Sequence, residues 1–127
     1  MYFADTLAVL TTVIDARNAG DVDTVLACYQ PDATVVVTQS GDILTGLKGA
    51  QTAAENFIAL KPEFTVGSRT IVEGEDVSLH LMRWRLKGTA PDGTALDLSG
   101  CTADVCRKQS DGGWLLAIDN PWGTNIA

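Results

Sequence analysis

Basic residues, histidine and paired cysteines are all scarce in this chain, and each scarcity closes off a class of function. Nine Lys and Arg stand against sixteen Asp and Glu, a formal net charge of −7 over 127 residues. A nucleic-acid surface needs a basic face, so no nucleic acid is expected as a partner. The densest basic set, Arg83, Arg85 and Lys87, alternates as the solvated face of a strand would. One histidine, His80, and three cysteines, Cys28, Cys101 and Cys106, offer neither a CxxC pair nor zinc-ligand spacing. No metal site is expected, and the thiols are expected to be reduced and mostly buried. No apolar run approaches the roughly 18 residues a membrane span needs. The opening Met1-Tyr2-Phe3-Ala4-Asp5-Thr6 lacks the basic start and apolar stretch of a signal peptide, so a cytoplasmic location is expected. There is no phosphate loop, nucleophile elbow or dinucleotide fingerprint, and no cofactor is expected; Gly112-Gly113 reads as a hairpin turn.

What is present is a globular composition, 46% hydrophobic and 20% charged, without repeats or linkers. The expectation is one domain spanning 1–127. Residues 4–18 place Leu7, Leu10, Val13 and Ile14 at helical spacing, and Asn18-Ala19-Gly20 supplies a stop. Asp21 is placed to cap a short second helix carrying Val25, Leu26 and Tyr29, with Pro31-Asp32 ending it. Thr34–Thr38 is β-branched and predicts a strand, Ile43–Thr45 a brief second one, and the Ala-rich 48–60 a third helix. Strands are then expected over 64–73, 77–88, 94–109 and 114–120, separated by turns rich in Gly, Asp and Pro. Helices followed by an antiparallel meander specify an α+β fold, with the helices covering one face of the sheet.

Alternation sorts the strand residues by face. His80, Met82, Trp84 and Leu86 share one side of their strand; Leu79, Leu81, Arg83, Arg85 and Lys87 share the other, which the charges mark as outer. On the next strand Leu96, Leu98, Gly100, Thr102, Asp104 and Cys106 oppose Asp97, Ser99, Cys101, Ala103 and Val105, and the periodicity alone leaves open which set is inner. If the first is, a carboxylate lies on the concave surface near His80 and Trp84.

The helix end Arg17-Asn18-Ala19-Gly20-Asp21, the segment Tyr29-Gln30-Pro31-Asp32-Ala33-Thr34-Val35, the strand Asp104-Val105-Cys106-Arg107, and then Asp111-Gly112-Gly113-Trp114 and Ile118-Asp119-Asn120-Pro121-Trp122 carry a resemblance. In this order and spacing they resemble the ketosteroid-isomerase-like and SnoaL-like branch of the nuclear-transport-factor-2-like superfamily. The ending is similar to small bacterial SnoaL-like proteins, including those labelled SgcJ/EcaC oxidoreductases. The resemblance covers nearly the whole chain and implies a cone-shaped α+β fold, a curved antiparallel sheet wrapped by about three N-terminal helices around an internal pocket, and a homodimer formed through the outer sheet face. Ketosteroid isomerase, a worked example of pKa tuning, uses a carboxylate base with a tyrosine and a protonated Asp as oxygen-holding donors. The resemblance puts Val13 at the tyrosine and Val37 at the base, and only Asp104 matches, at the protonated Asp. Valine neither takes nor donates a proton, so steroid isomerisation by that route is not expected.

Asp104 and His80 are therefore the candidate proton-transfer groups, either Asp104 as an acid of raised pKa or an Asp–His dyad with His80 as base. Tyr29, Met82, Trp84, Thr102, Ile118, Asn120 and Trp122 are the expected ligand-lining residues. Asp119, alternating away from Ile118 and Asn120, reads as structural, at a dimer interface. Cys106 would serve as a nucleophile only with a base beside it. The functional expectation is a pocket protein binding a small apolar or cyclic molecule. The alternative is a cofactor-independent isomerase, cyclase or dehydratase that moves a proton through Asp104 and His80.

Overall fold

The computed structural model describes residues 1–127. Helix α1 (Thr6–Ala19) is capped by the Asp5 carboxylate, which accepts from the Ala8 N–H at 2.8 Å, and ends at Gly20 in the left-handed region with φ 72°. A 14-residue helix is marginal alone; burial of Val9, Leu10, Val13 and Ile14, each contributing about 1.5–3 kcal/mol, is what holds it. Leu7, expected on this stripe, is instead 48% exposed. The true stripe runs 10, 13, 14, 17 and so carries Arg17 inward.

Helix α2 (Val22–Ala27), capped by Asp21, is shorter than expected. Strand β1 (Tyr29–Val36) begins at once after Cys28, so Tyr29 lies on a strand and not on a helix. Pro31 does not break this strand, because it sits where the pairing register of β1 shifts and no ladder N–H is required of it. Strand β2 (Ile43–Thr45), helix α3 (Gly46–Ile58) and strands β3 (Glu63–Glu73), β4 (Val77–Thr89), β5 (Ala95–Lys108) and β6 (Trp114–Asp119) follow, close to the expected bounds. A 3₁₀ turn at Gly123–Ile126 was not foreseen.

The six strands form one curved, unclosed sheet in the order β2-β1-β6-β5-β4-β3. Every pairing is antiparallel except that of β1 with β6, which is parallel and sets the last strand, β6, between β1 and β5 in the middle of the sheet. Helix α1 packs on β6 and β3, and α3 on β1, all on one face. The inner set of β5 is settled: Thr102, Asp104 and Cys106 are buried, whereas Cys101, Ala103 and Val105 are partly exposed.

Candidate functional site

The space between helices and sheet is a cavity of about 480 Å³, lined by 28 residues of which 20 are hydrophobic. Two polar clusters interrupt its apolar wall. The first is set by strand register, which places His80 directly opposite Asp104. His80 Nδ1 lies 3.2 Å from Asp104 Oδ2, and the second oxygen of the same carboxylate accepts the Asn120 N–H at 2.8 Å. His80 is 1% exposed, Asp104 6%. Burial raises the proton affinity of Asp104 above that of an ordinary carboxyl; the hydrogen bond to His80 opposes this, and the negative charge of Asp119 adds to it. His80 Nε2 has no hydrogen-bond partner within the chain, and His80 is one of the residues that line the cavity.

The second cluster, which joins Tyr29 to Arg17 and Asp119, was not foreseen from the sequence. Arg17 Nη2 donates to Asp119 Oδ2 at 2.6 Å and to the Tyr29 hydroxyl at 2.6 Å, and that hydroxyl donates in turn to Asp119. Burial works against the Arg17 charge, but the oxygens of Tyr29, Asp119 and Asp104 outweigh it and hold the guanidinium above its ordinary value. Burial likewise pushes the Tyr29 phenol well up, against the pull of Arg17, so it stays a donor. The guanidinium also lies over the Phe57 ring, 5.7 Å from its centroid.

Asp119 and Ile118 exchange the places that simple alternation gives them. Between β5 and β6, Val105 pairs with Ile118 but the next residue, Cys106, pairs with Leu116, so Ala117 is an extra residue in its strand. Such a bulge reverses the side-chain phase. Leu116 and Asp119 therefore both line the cavity, while Ile118 turns outward and is 41% exposed. Ile118 is accordingly not a cavity residue, and Asp119 is not at the outer face. Asn120 does not line the cavity either: its side-chain oxygen accepts the N–H groups of Trp122 and Gly123 and its amide donates to the Gly123 carbonyl, which shapes the final turn.

The other expected lining residues, Tyr29, Met82, Trp84, Thr102 and Trp122, do face the cavity, as do Val13 and Val37. Trp84 stacks on Phe64 at 5.6 Å, meets Trp122 edge-on at 5.4 Å, and donates its indole N–H to the Pro121 carbonyl at 2.8 Å. Cys106 is fully buried; burial and the nearby carboxylates push its thiol up to about 12, which disqualifies it as a nucleophile near neutrality.

A curved, unclosed sheet backed by three helices is the architecture of the nuclear-transport-factor-2-like class. Within it the chain belongs to the SnoaL-like domain family, which it matches over residues 10–114. No curated protein matches it. Among solved structures it is similar to a candidate dehydratase of the NTF2-like family from Streptomyces avermitilis, with 16% identity, TM-score 0.74, 87% of this chain and 88% of that one. It is also similar to a candidate ketosteroid isomerase from Shewanella frigidimarina, with 16% identity, TM-score 0.73, and 87% and 89% of the two chains. A candidate calcium/calmodulin-dependent protein kinase II association domain from Xanthomonas campestris shares 22% identity at TM-score 0.70, with 87% and 82% covered. At these identities the likeness is one of fold.

Proposed function

We propose that the cavity binds a small apolar, cyclic molecule and that the His80–Asp104 pair exchanges a proton with it, without a cofactor. The observation that carries this reading is His80 Nε2, a buried nitrogen with no partner in the chain, on a ring whose other nitrogen is held by a carboxylate. In the neutral imidazole Nδ1–H donates to Asp104, which leaves a lone pair at Nε2. On taking a proton there, the imidazolium is stabilised by the same carboxylate, itself fixed by the Asn120 N–H. Proton transfer beside a carbonyl is the step that isomerisation, cyclisation and dehydration have in common. The route through a tyrosine and a carboxylate at the positions of Val13 and Val37 stays closed, since both positions line the cavity with inert side chains.

The test is α-proton exchange of α-tetralone, an enolisable bicyclic ketone, followed by NMR in deuterated buffer. Wild type is expected to accelerate exchange, and His80→Gln to lose at least ~100-fold of that acceleration while its melting temperature still rises with ligand. Equal exchange in both proteins would remove the proton-transfer role.

The outer face supports a second copy as partner. Val72, Leu79, Val105 and Ile118 stand in register across four adjacent strands, with Val72 53%, Leu79 38% and Ile118 41% exposed. A continuous apolar band across the middle of a sheet is what an isologous interface buries. Sedimentation at micromolar concentration is expected to give a dimer that Leu79→Lys dissociates; a wild-type monomer would refute it.

A further inference from the structure

Three buried side-chain nitrogen or oxygen atoms in this chain lack a hydrogen-bond partner: Arg69 Nε, His80 Nε2 and Thr102 Oγ1. Two of the three belong to residues that line the cavity, His80 and Thr102. Elsewhere the buried polar side chains are satisfied: Thr6 with Ser78, Tyr29 with Asp119 and Arg17, and Asp104 with His80 and Asn120. An unmet hydroxyl in the interior costs stability. Thr102 is 4% exposed and opposes Met82, so it is the diagonal cross-strand neighbour of His80 on the same inner face.

We propose that Thr102 Oγ and His80 Nε2 together form the polar recognition site of the cavity, and that its ligand is a neutral ring compound bearing a hydroxyl beside a carbonyl. This rests on the reading that the cavity takes a small molecule. With Nδ1–H committed to Asp104, Nε2 accepts a hydrogen bond from the ligand's hydroxyl. Thr102 donates its own O–H to the carbonyl oxygen. Neutrality follows from the charges that face the cavity. Asp104 and Asp119 both line it, and the single cation among them, Arg17, is engaged by Asp119 and Tyr29. A carboxylate ligand would meet two carboxyl groups and no free cation.

Thr102→Val keeps the shape and removes the hydroxyl, and Thr102→Ser keeps the hydroxyl. The probes are an α-hydroxytetralone, which offers both groups, α-tetralone, which offers the carbonyl, tetralin, which offers neither, and naphthoate, the anion. Binding is read by calorimetry and stability by thermal unfolding. Wild type is expected to prefer the hydroxyketone to tetralin and to reject naphthoate. Thr102→Val should bind the hydroxyketone about tenfold more weakly, leave tetralin unchanged, and melt at an equal or higher temperature without ligand. Thr102→Ser should restore most of the affinity. Unchanged hydroxyketone binding in Thr102→Val, or naphthoate binding best in wild type, would overturn the inference while leaving the cavity's role intact. Failure of all four probes to bind wild type would remove both.

Discussion

Replacing Arg17 by methionine is expected to cost about 3 kcal/mol of stability, the lower end of the range for breaking a buried ion pair. The guanidinium is the only cation on Asp119, which is 6% exposed, and without it that carboxylate is left beside Asp104 with the Tyr29 hydroxyl as its remaining partner. Asp119→Leu alone should cost less, because Arg17 reaches solvent more readily than the aspartate does: their side chains are 17% and 8% exposed. The double variant should be more stable than the sum of the single losses requires, since both charges go together and the cavity wall gains apolar contact. Urea unfolding of the four proteins measures the coupling. Strict additivity would mean that the cluster does not act as a unit.

Trp84→Ala is expected to cost about 3–5 kcal/mol, the range for truncating a buried aromatic. This indole carries more than its own burial. It lies against the Cα of Gly100, where an added Cβ would come within 2.7 Å of the ring, so the glycine is what allows the tryptophan to lie flat on β5. Its N–H holds the Pro121 carbonyl, and its edge-on contact with Trp122 holds the final turn against the cavity. The loss should therefore appear in two places. Global stability falls, and amide protection over residues 120–126 falls further than the global loss accounts for. Trp84→Phe deletes the hydrogen bond and part of the ring packing, and should cost less than Trp84→Ala. Protection of 120–126 unchanged in Trp84→Ala would contradict the role given to the indole in holding the turn.

The elements whose hydrophobic period is unbroken were legible from residues alone. The Asp21 cap, the Gly20 stop and the alternation of β4 needed no tertiary information. Reading failed where one residue resets the phase. The helix-like spacing of Val25, Leu26 and Tyr29 hid the start of β1, because α2 stops at Ala27 and the chain extends at once. Ala117 carries no sequence signature of a bulge, so Asp119 and Ile118 were given each other's faces. Arg17 did leave a signal: it follows Leu10, Val13 and Ile14 at helical spacing, and a charge continuing an apolar stripe points into the interior. His80 could be assigned to the inner face, whereas the periodicity left the face of Asp104 open, and that the two lie opposite one another depends on a register that only the folded sheet fixes.

The most direct measurement uses the fact that the chain has one histidine, so its ring nitrogens need no assignment. Long-range ¹⁵N–¹H correlation spectra of uniformly labelled protein distinguish a protonated ring nitrogen from a bare one across a pH titration. Because burial raises Asp104, its carboxyl should hold its proton to a pH above the ordinary carboxyl range, and the tautomer is read where the spectrum itself shows a neutral ring. The account predicts that this ring carries its proton on Nδ1, toward Asp104, with Nε2 bare, and that Nε2 shifts when the hydroxytetralone is added. A neutral ring protonated on Nε2, or a bare Nε2 indifferent to every cavity ligand, would contradict it.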